Sequence, residues 1–227
     1  MVFGESPVTL EQLAKELRVR IPQLASALTN KEYTRAAKQA LTQIGDSLNL
    51  RTYCTNRQRG TKEFLLDLVW WKDAPDEQRA VLAVESEWGN PRDQGIGSRA
   101  DQVTEDFKKL LAFKAPMKLM LFSADNQEMR DAIHAEIQRY LRRFAQHVKG
   151  EEYLFMEFAE SNCYSYTWTP NQDGRCVNTR LEPLDDASAK VVSAHAQGAA
   201  AGADDVQLVV PQSRFKSPLL QRKDRPK

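Results

Sequence analysis

The chain has 227 residues, 41% of them hydrophobic, enough for one sizeable core or a core with a small appendage. Charged residues make up 28% and the formal net charge is +1, so the overall balance points to no partner, and only the distribution of charge can speak for nucleic acid. Three cysteines, Cys54, Cys163 and Cys176, cannot all pair within one chain and none lies in a CxxC; a disulfide scaffold and a structural zinc site are disfavoured, and reduced thiols in the cytoplasm are expected.

The opening MVFGESPVTLEQL has neither the basic start nor the apolar run of a secretory signal. No apolar stretch approaches the ~20 residues that span a bilayer, so a cytoplasmic protein with no membrane partner is expected. SPVTLEQLAKEL predicts a helix start, with Thr9 as N-cap, Gln12 three residues on, and a stripe of Leu10, Leu13 and Leu17. After RVR, the residues Ile21, Leu24, Ala25 and Leu28 suggest a second short helix. From Lys31 to Leu48, Tyr33, Ala36, Ala37, Ala40, Leu41 and Ile44 recur at helical spacing and predict an amphipathic helix.

TKEFLLDLVWWK, the turn DAPDEQ and RAVLAVESEW predict two strands joined as a hairpin. Residues 89 to 101, GNPRDQGIGSRAD, carry glycines and a proline without apolar period and read as a loop. VTEDFKKLLAFKA reads as a helix, MKLMLFSA as a buried strand, and NQEMRDAIHAEIQRYLRRFAQHV as a long amphipathic helix capped by Asn126. EEYLFMEFAES and CYSYTWTPN read as a closing pair of strands. The order predicts an α/β fold with a mixed sheet and helices on both faces. Three regions follow: an N-terminal helical segment over 1–30, a core domain over 31–181, and a flexible basic tail over 182–227 in which DVQLVVP adds a short strand.

The chemistry concentrates in VLAVESEWGN. Side chains two apart on a strand share a face, so Glu85 and Glu87 point the same way, and like charges on an apolar strand are costly unless something positive meets them. Asp67 interrupts the apolar run FLLDLVWW, and hairpin pairing would set it beside Glu85. Three converging carboxylates suit Mg²⁺ or Mn²⁺, a hard cation that takes oxygen ligands, activates water and offsets charge on phosphate. On the following helix Lys109 lies three residues past Asp106 and shares its flank, whereas Lys108 points away; Lys109 is expected to reach the site. Each of these residues alone is more simply read as a solvated charge; the joint pattern carries the reading.

This layout resembles the PD-(D/E)xK nuclease superfamily, of restriction-endonuclease-like fold, whose core runs αβββαβ, here with an extra N-terminal helix. Asp67 matches the family's first acid and Glu85 its second. The lysine position of the motif holds Glu87, and Lys109 suits the role of a lysine moved to the neighbouring helix. ESEW followed by DFKKLLAFKAPMKLMLF is similar to a bacterial group of this fold with ExEW and DFxKLL motifs; Asp106, Phe107 and Lys109 fall on that pattern, and the likeness spans roughly residues 64–122.

The resemblance implies a metal-dependent nuclease acting on DNA or, second, RNA. Asp67, Glu85 and Glu87 would be metal ligands, and Lys109 and Glu87 the catalytic residues. The alternative is a catalytically silent domain of the same fold, a binding or assembly subunit of a homodimer or larger bacterial or phage assembly. Glu32 and Asp46 on the Lys31–Leu48 helix are not assigned. Arg139, Arg142 and Arg143, with Arg130 and Lys149 on the same long helix, offer a face for phosphate contacts or a merely solvated one. Trp70, Trp71 and Trp88 are either core residues or platforms for an unpaired base. No GxGxxG, GxxxxGK[ST] or GxSxG motif supports a small-molecule enzyme.

Overall fold

The structure, a computed structural model, describes residues 7–25, 29–54, 65–89, 95–159, 162–170, 182–183 and 189–190. The chain divides into two units, 1–196 and 197–227, and every described residue belongs to the first. DVQLVVP and the basic tail after it therefore lie outside the described residues.

Helix α1 (Leu10–Leu24) starts at the predicted capping box: the Gln12 N–H donates to Thr9 Oγ1 at 3.2 Å and the Thr9 N–H donates to Gln12 Oε1 at 3.0 Å. Leu10, Leu13, Ala14, Leu17 and Ile21 form its buried stripe. The expected break after RVR does not occur. Ile21 stands four residues past Leu17, so the stripe continues, and Pro22 is absorbed in the last turn of the same helix. Helix α2 (Asn30–Ser47), capped by Thr29, buries Ala36, Ala37, Ala40, Leu41, Ile44 and Gly45.

Six strands form the body of one mixed sheet: β1 (Arg51–Cys54), β2 (Leu68–Ala74), β3 (Glu77–Glu87), β4 (Met117–Ser123), β5 (Glu152–Ala159) and β6 (Asn162–Trp168), side by side in that order. β1 is an edge strand that the sequence reading missed. The β2–β3 hairpin turns at Pro75 and Asp76, with Leu68 opposite Val84 and a bulge at Trp70–Trp71. β3, β4 and β5 run parallel, linked by α3 (Ile96–Ala112) and α4 (Gln127–Arg143), and β5–β6 closes antiparallel. Two further two-residue strands, β7 (Glu182–Pro183) and β8 (Ala189–Lys190), pair with β6.

The parallel centre is covered on both faces, and its strands are accordingly near-continuous apolar runs. Leu82, Val84, Leu119, Leu121, Leu154 and Met156 pack with α1 and α2 on one side. Ala83, Met120, Phe122, Tyr153 and Phe155 pack with α3 and α4 on the other. Glu85 and Glu87 continue the second set, so both carboxylates face α3. The loop predicted over 89–101 ends sooner than expected, because α3 is helical from Ile96. Gly95 and Gly97 signal a loop by composition, but here one is the helix N-cap and the other its second residue, where a glycine costs little.

α2 approaches the sheet closely. A Cβ on Gly45 would lie 2.7 Å from Thr52 Oγ1 and 2.8 Å from Trp70 Nε1, and Trp70 Nε1 donates to the Leu41 carbonyl at 3.0 Å. This contact carries Lys38, on the same helix, over the start of β2.

Candidate functional site

Glu85 lies in the C-terminal half of β3 and is only 2% exposed. Burial, with the neighbouring charges of Asp67 and Asp106, pushes its carboxyl up to about 8, against the opposing pull of Lys109. Lys109 Nζ stands 3.3 Å from Glu85 Oε1, within ion-pair range, yet Oε1 accepts no aligned hydrogen bond. The same ammonium donates to Asp106 Oδ1 at 2.6 Å. Although burial opposes its charge, the bond to Asp106 and the field of Glu85 hold the Lys109 ammonium above its ordinary range. Its side chain remains 46% exposed, so it joins a buried carboxyl to the surface.

Glu87 Oε1 accepts the Gly89 N–H at 2.5 Å. Burial raises its carboxyl; the Gly89 amide and Arg99 oppose the shift, and Asp106 and Asp67 reinforce it. Asp67 lies in the bend before β2 rather than within the strand, level with Glu85 in the hairpin register. Its Oδ2 accepts from the Ser86 N–H at 3.0 Å and the Ser86 hydroxyl at 2.7 Å, and Lys38 Nζ lies 3.0 Å from Oδ1. The predicted quartet of Asp67, Glu85, Glu87 and Lys109 is thus drawn together electrostatically, with Asp106 as a fourth carboxylate.

The three carboxylates do not form a closed cage. Among the described residues, no group of three or more His, Cys, Asp or Glu side chains is disposed to hold a metal ion. Asp67 and Glu87 each give an oxygen to a backbone amide, whereas Glu85 Oε1 faces the Lys109 ammonium at 3.3 Å without an aligned hydrogen bond. An all-oxygen set of this kind fits a cation held by one or two carboxylates with water completing the shell, as Mg²⁺ is commonly held. Glu85 with Asp67 or Asp106 would supply those carboxylates.

Three basic residues near the cluster differ in origin. Lys109 was expected; Lys38 and Arg99 were not. Arg99 is 6% exposed, packed against Gly89 at the end of β3. Gly89 has φ +80°, and a Cβ there would fall 0.9 Å from Arg99 Nη1, so a side chain would be strained and would displace the guanidinium. The segment is fixed further by the Asn30 amide donating to the Gly89 carbonyl and by Ser123 Oγ donating to the Trp88 carbonyl at 2.9 Å. Lys38 leaves no local signal, because its role depends on how α2 docks.

The arginines of α4 sit elsewhere. α4 begins at the C-terminal end of β4 and returns to the N-terminal end of β5, so Arg139, Arg142 and Arg143 belong to the end away from Glu87. Arg139 is bonded to Glu136, with Nε–Oε2 at 2.9 Å, and lies 4.4 Å from the Tyr140 ring centre. The Glu136 carboxyl is held below its ordinary range first by Arg139, with Arg143 and Lys108 adding to it, so these cations share one surface patch. Lys108 faces that patch, pairing with Glu105 at 2.5 Å. Trp70 and Trp88 are core residues: Trp88 packs on Tyr33 and Phe158 at 5.3 and 5.4 Å between ring centres. Trp71 is half-buried.

Two other buried acids show what a satisfied one looks like here. Glu151 receives Lys118 Nζ at 2.8 Å and the Tyr153 hydroxyl at 3.0 Å. Both Glu157 oxygens accept from Arg130 Nε at 2.7 Å.

No family model matches this chain, and neither a curated protein nor a solved structure matches it. No described helix is long and apolar enough to cross a membrane.

Proposed function

We propose that this protein is a divalent-metal-dependent nuclease that hydrolyses phosphodiester bonds in DNA or RNA. The observation that carries the reading is Glu85: a buried strand carboxyl, pushed up to about 8 by burial and by Asp67 and Asp106, whose Oε1 has only the half-exposed Lys109 ammonium at 3.3 Å, without an aligned hydrogen bond. A purely structural acid would be expected to be matched as Glu151 and Glu157 are.

A Mg²⁺ or Mn²⁺ ion bound by Glu85 and a neighbouring carboxylate would supply an activated water and charge stabilisation on phosphate. The protein's own groups do the rest. Asp106 holds the Lys109 ammonium at 2.6 Å, so its remaining protons can point to an attacking water or a phosphate oxygen. Ser86 and Lys38 fix the orientation of Asp67. Glu85 must release its proton before it can act as a ligand, so cation affinity should rise with pH toward 8.

A second reading keeps the fold and drops the chemistry: a silent binding or assembly subunit. It is favoured by Lys109, which already lies against both Glu85 and Asp106, and by the lack of a three-ligand group among the described residues. Calorimetry with Mg²⁺ and Mn²⁺ on the wild type and Glu85→Ala decides between them. The nuclease reading expects binding that the substitution abolishes, followed by cleavage in a screen of single- and double-stranded DNA and RNA. No binding at millimolar metal, with or without nucleic acid present, leaves the silent reading.

A further inference from the structure

The helix that carries Lys109 opens differently from the other described helices. Its N-cap, Gly95, has no side chain to bond the free backbone N–H groups of the first turn, and that turn carries no acid. Those N–H groups, with the positive end of the helix dipole, are an attractive environment for an anion. By itself such a helix start proves nothing. The second observation is Arg99, in the same turn. Its guanidinium is over nine-tenths buried, and neither Nε nor Nη1 has a hydrogen-bond partner. Among the described residues its nearest acid, Asp125, is 3.9 Å from Nη2, too far for a hydrogen bond, and is itself 67% exposed. A buried arginine with two donor nitrogens unused is costly unless an acceptor arrives.

The geometry directs both features to one place. Helical side chains lean toward the helix N-terminus, and Arg99 reaches back to Gly89 at the C-terminal end of β3. That edge of a parallel sheet is where open α/β folds take their ligands. Residues 95–100 read GIGSRA, a Gly-x-Gly-x-x-Ala spacing at the start of a helix that follows a strand. The glycines in such a spacing let phosphate come against the backbone. Gly97 is exposed, and among the described residues nothing lies within 4 Å of a Cβ built on it. β3 ends at Glu87 and α3 starts at Ile96, a longer connection than the tight turn of dinucleotide folds, so the inference is confined to one phosphate group.

We propose that the first turn of α3 and the Arg99 guanidinium form a phosphate-binding site, beside the carboxylate cluster and distinct from it. That the phosphate belongs to the strand being cut rests on the nuclease reading; the site itself does not. The guanidinium fork suits two phosphate oxygens, and its charge also acts on the Glu87 carboxyl, pulling it down against burial.

The test is titration of the full chain with inorganic phosphate in EDTA at constant ionic strength, followed by calorimetry. Saturable millimolar binding is expected for the wild type and for Glu85→Gln. Gly97→Asp puts a carboxylate in the open first turn, where it favours the helix, and should weaken binding roughly tenfold or more while leaving the thermal midpoint unchanged or raised. Arg99→Gln should do the same to binding. Oligonucleotides with and without a terminal phosphate, again in EDTA, separate the sources. A preference for the phosphorylated end that Gly97→Asp removes assigns the site to a terminal phosphate. Equal binding of both, weakened by Gly97→Asp, assigns it to an internal diester. Wild type that fails to bind phosphate, or a correctly folded Gly97→Asp that binds as the wild type does, overturns the proposal. Because metal is absent throughout, a failure of the nuclease reading leaves these outcomes untouched.

Discussion

Replacing Glu85 by Gln tests the central electrostatic claim directly. In the unfolded chain the carboxyl titrates near 4.5, and in the folded protein burial and the charges of Asp67 and Asp106 raise it to about 8. Between those values the folded state holds a proton that the unfolded state has lost. Stability from this group is therefore fully present below pH 4.5 and is lost as pH rises through 8. At about 1.4 kcal/mol per pH unit, the loss amounts to about 3 kcal/mol by neutral pH and approaches about 5 kcal/mol above pH 8. The half-exposed Lys109 can move toward the ionised carboxylate, so the measured figure should fall below that ceiling. Glutamine keeps the shape and has no charge to lose. Urea denaturation of both proteins across this pH range should show the variant gaining on the wild type by a few kcal/mol as pH rises. Using the difference removes the titration of other groups, including His134, whose imidazole is pushed down to about 4 by burial and the Arg130 charge. A difference that stays flat with pH would mean that Glu85 ionises normally and would refute the argument. Added Mg²⁺ should stabilise the wild type at high pH and leave the variant unmoved.

Two structural predictions stand apart from the chemistry. Lys118→Met removes the ammonium that meets Glu151 at 2.8 Å in a site also closed by Tyr153 and His147, and stranding the buried acid should cost about 3–5 kcal/mol in urea denaturation. Adding Glu151→Gln should recover part of that loss; an additive double mutant would show that the two groups do not interact. Gly89→Ala places a methyl where Arg99 lies, in backbone of φ +80°, and should destabilise by about 1–3 kcal/mol. Denaturation within experimental error of the wild type would show that the guanidinium is not held there.

Elements whose signals are local were legible. Thr9 and Gln12 announced their capping box, Asn126 its helix, and the Pro75–Asp76 turn its hairpin, because each depends on residues a few positions apart. The alternation that sends Glu85 and Glu87 to one face followed from strand geometry, and the three-residue spacing brought Lys109 to Asp106. Local signals also misled. Four residues of β1 carry no pattern that distinguishes an edge strand, and its existence depends on β2 being there to pair with. The glycines of GIGSRA read as loop until the helix was seen to begin among them. The arginine repeat on α4 was legible as a basic face, but its distance from the carboxylates was not.

The sequence by itself placed most of the helices, the order of most of the strands, and Glu85 and Glu87 on one face, since these rest on periodicities of two and three or four residues. Only the tertiary structure decided what the acids face. Asp67 meets Lys38 because Gly45 lets α2 settle on Trp70, and Glu85 is perturbed because strand, bend and helix bring charges from residues 67, 85, 106 and 109 into one desolvated space. Arg99 is buried because Gly89, ten residues earlier in the chain, has no side chain to exclude it. Electrostatic interactions and burial depend on distances through space, and for these residues such distances are set by packing between elements that no local pattern records.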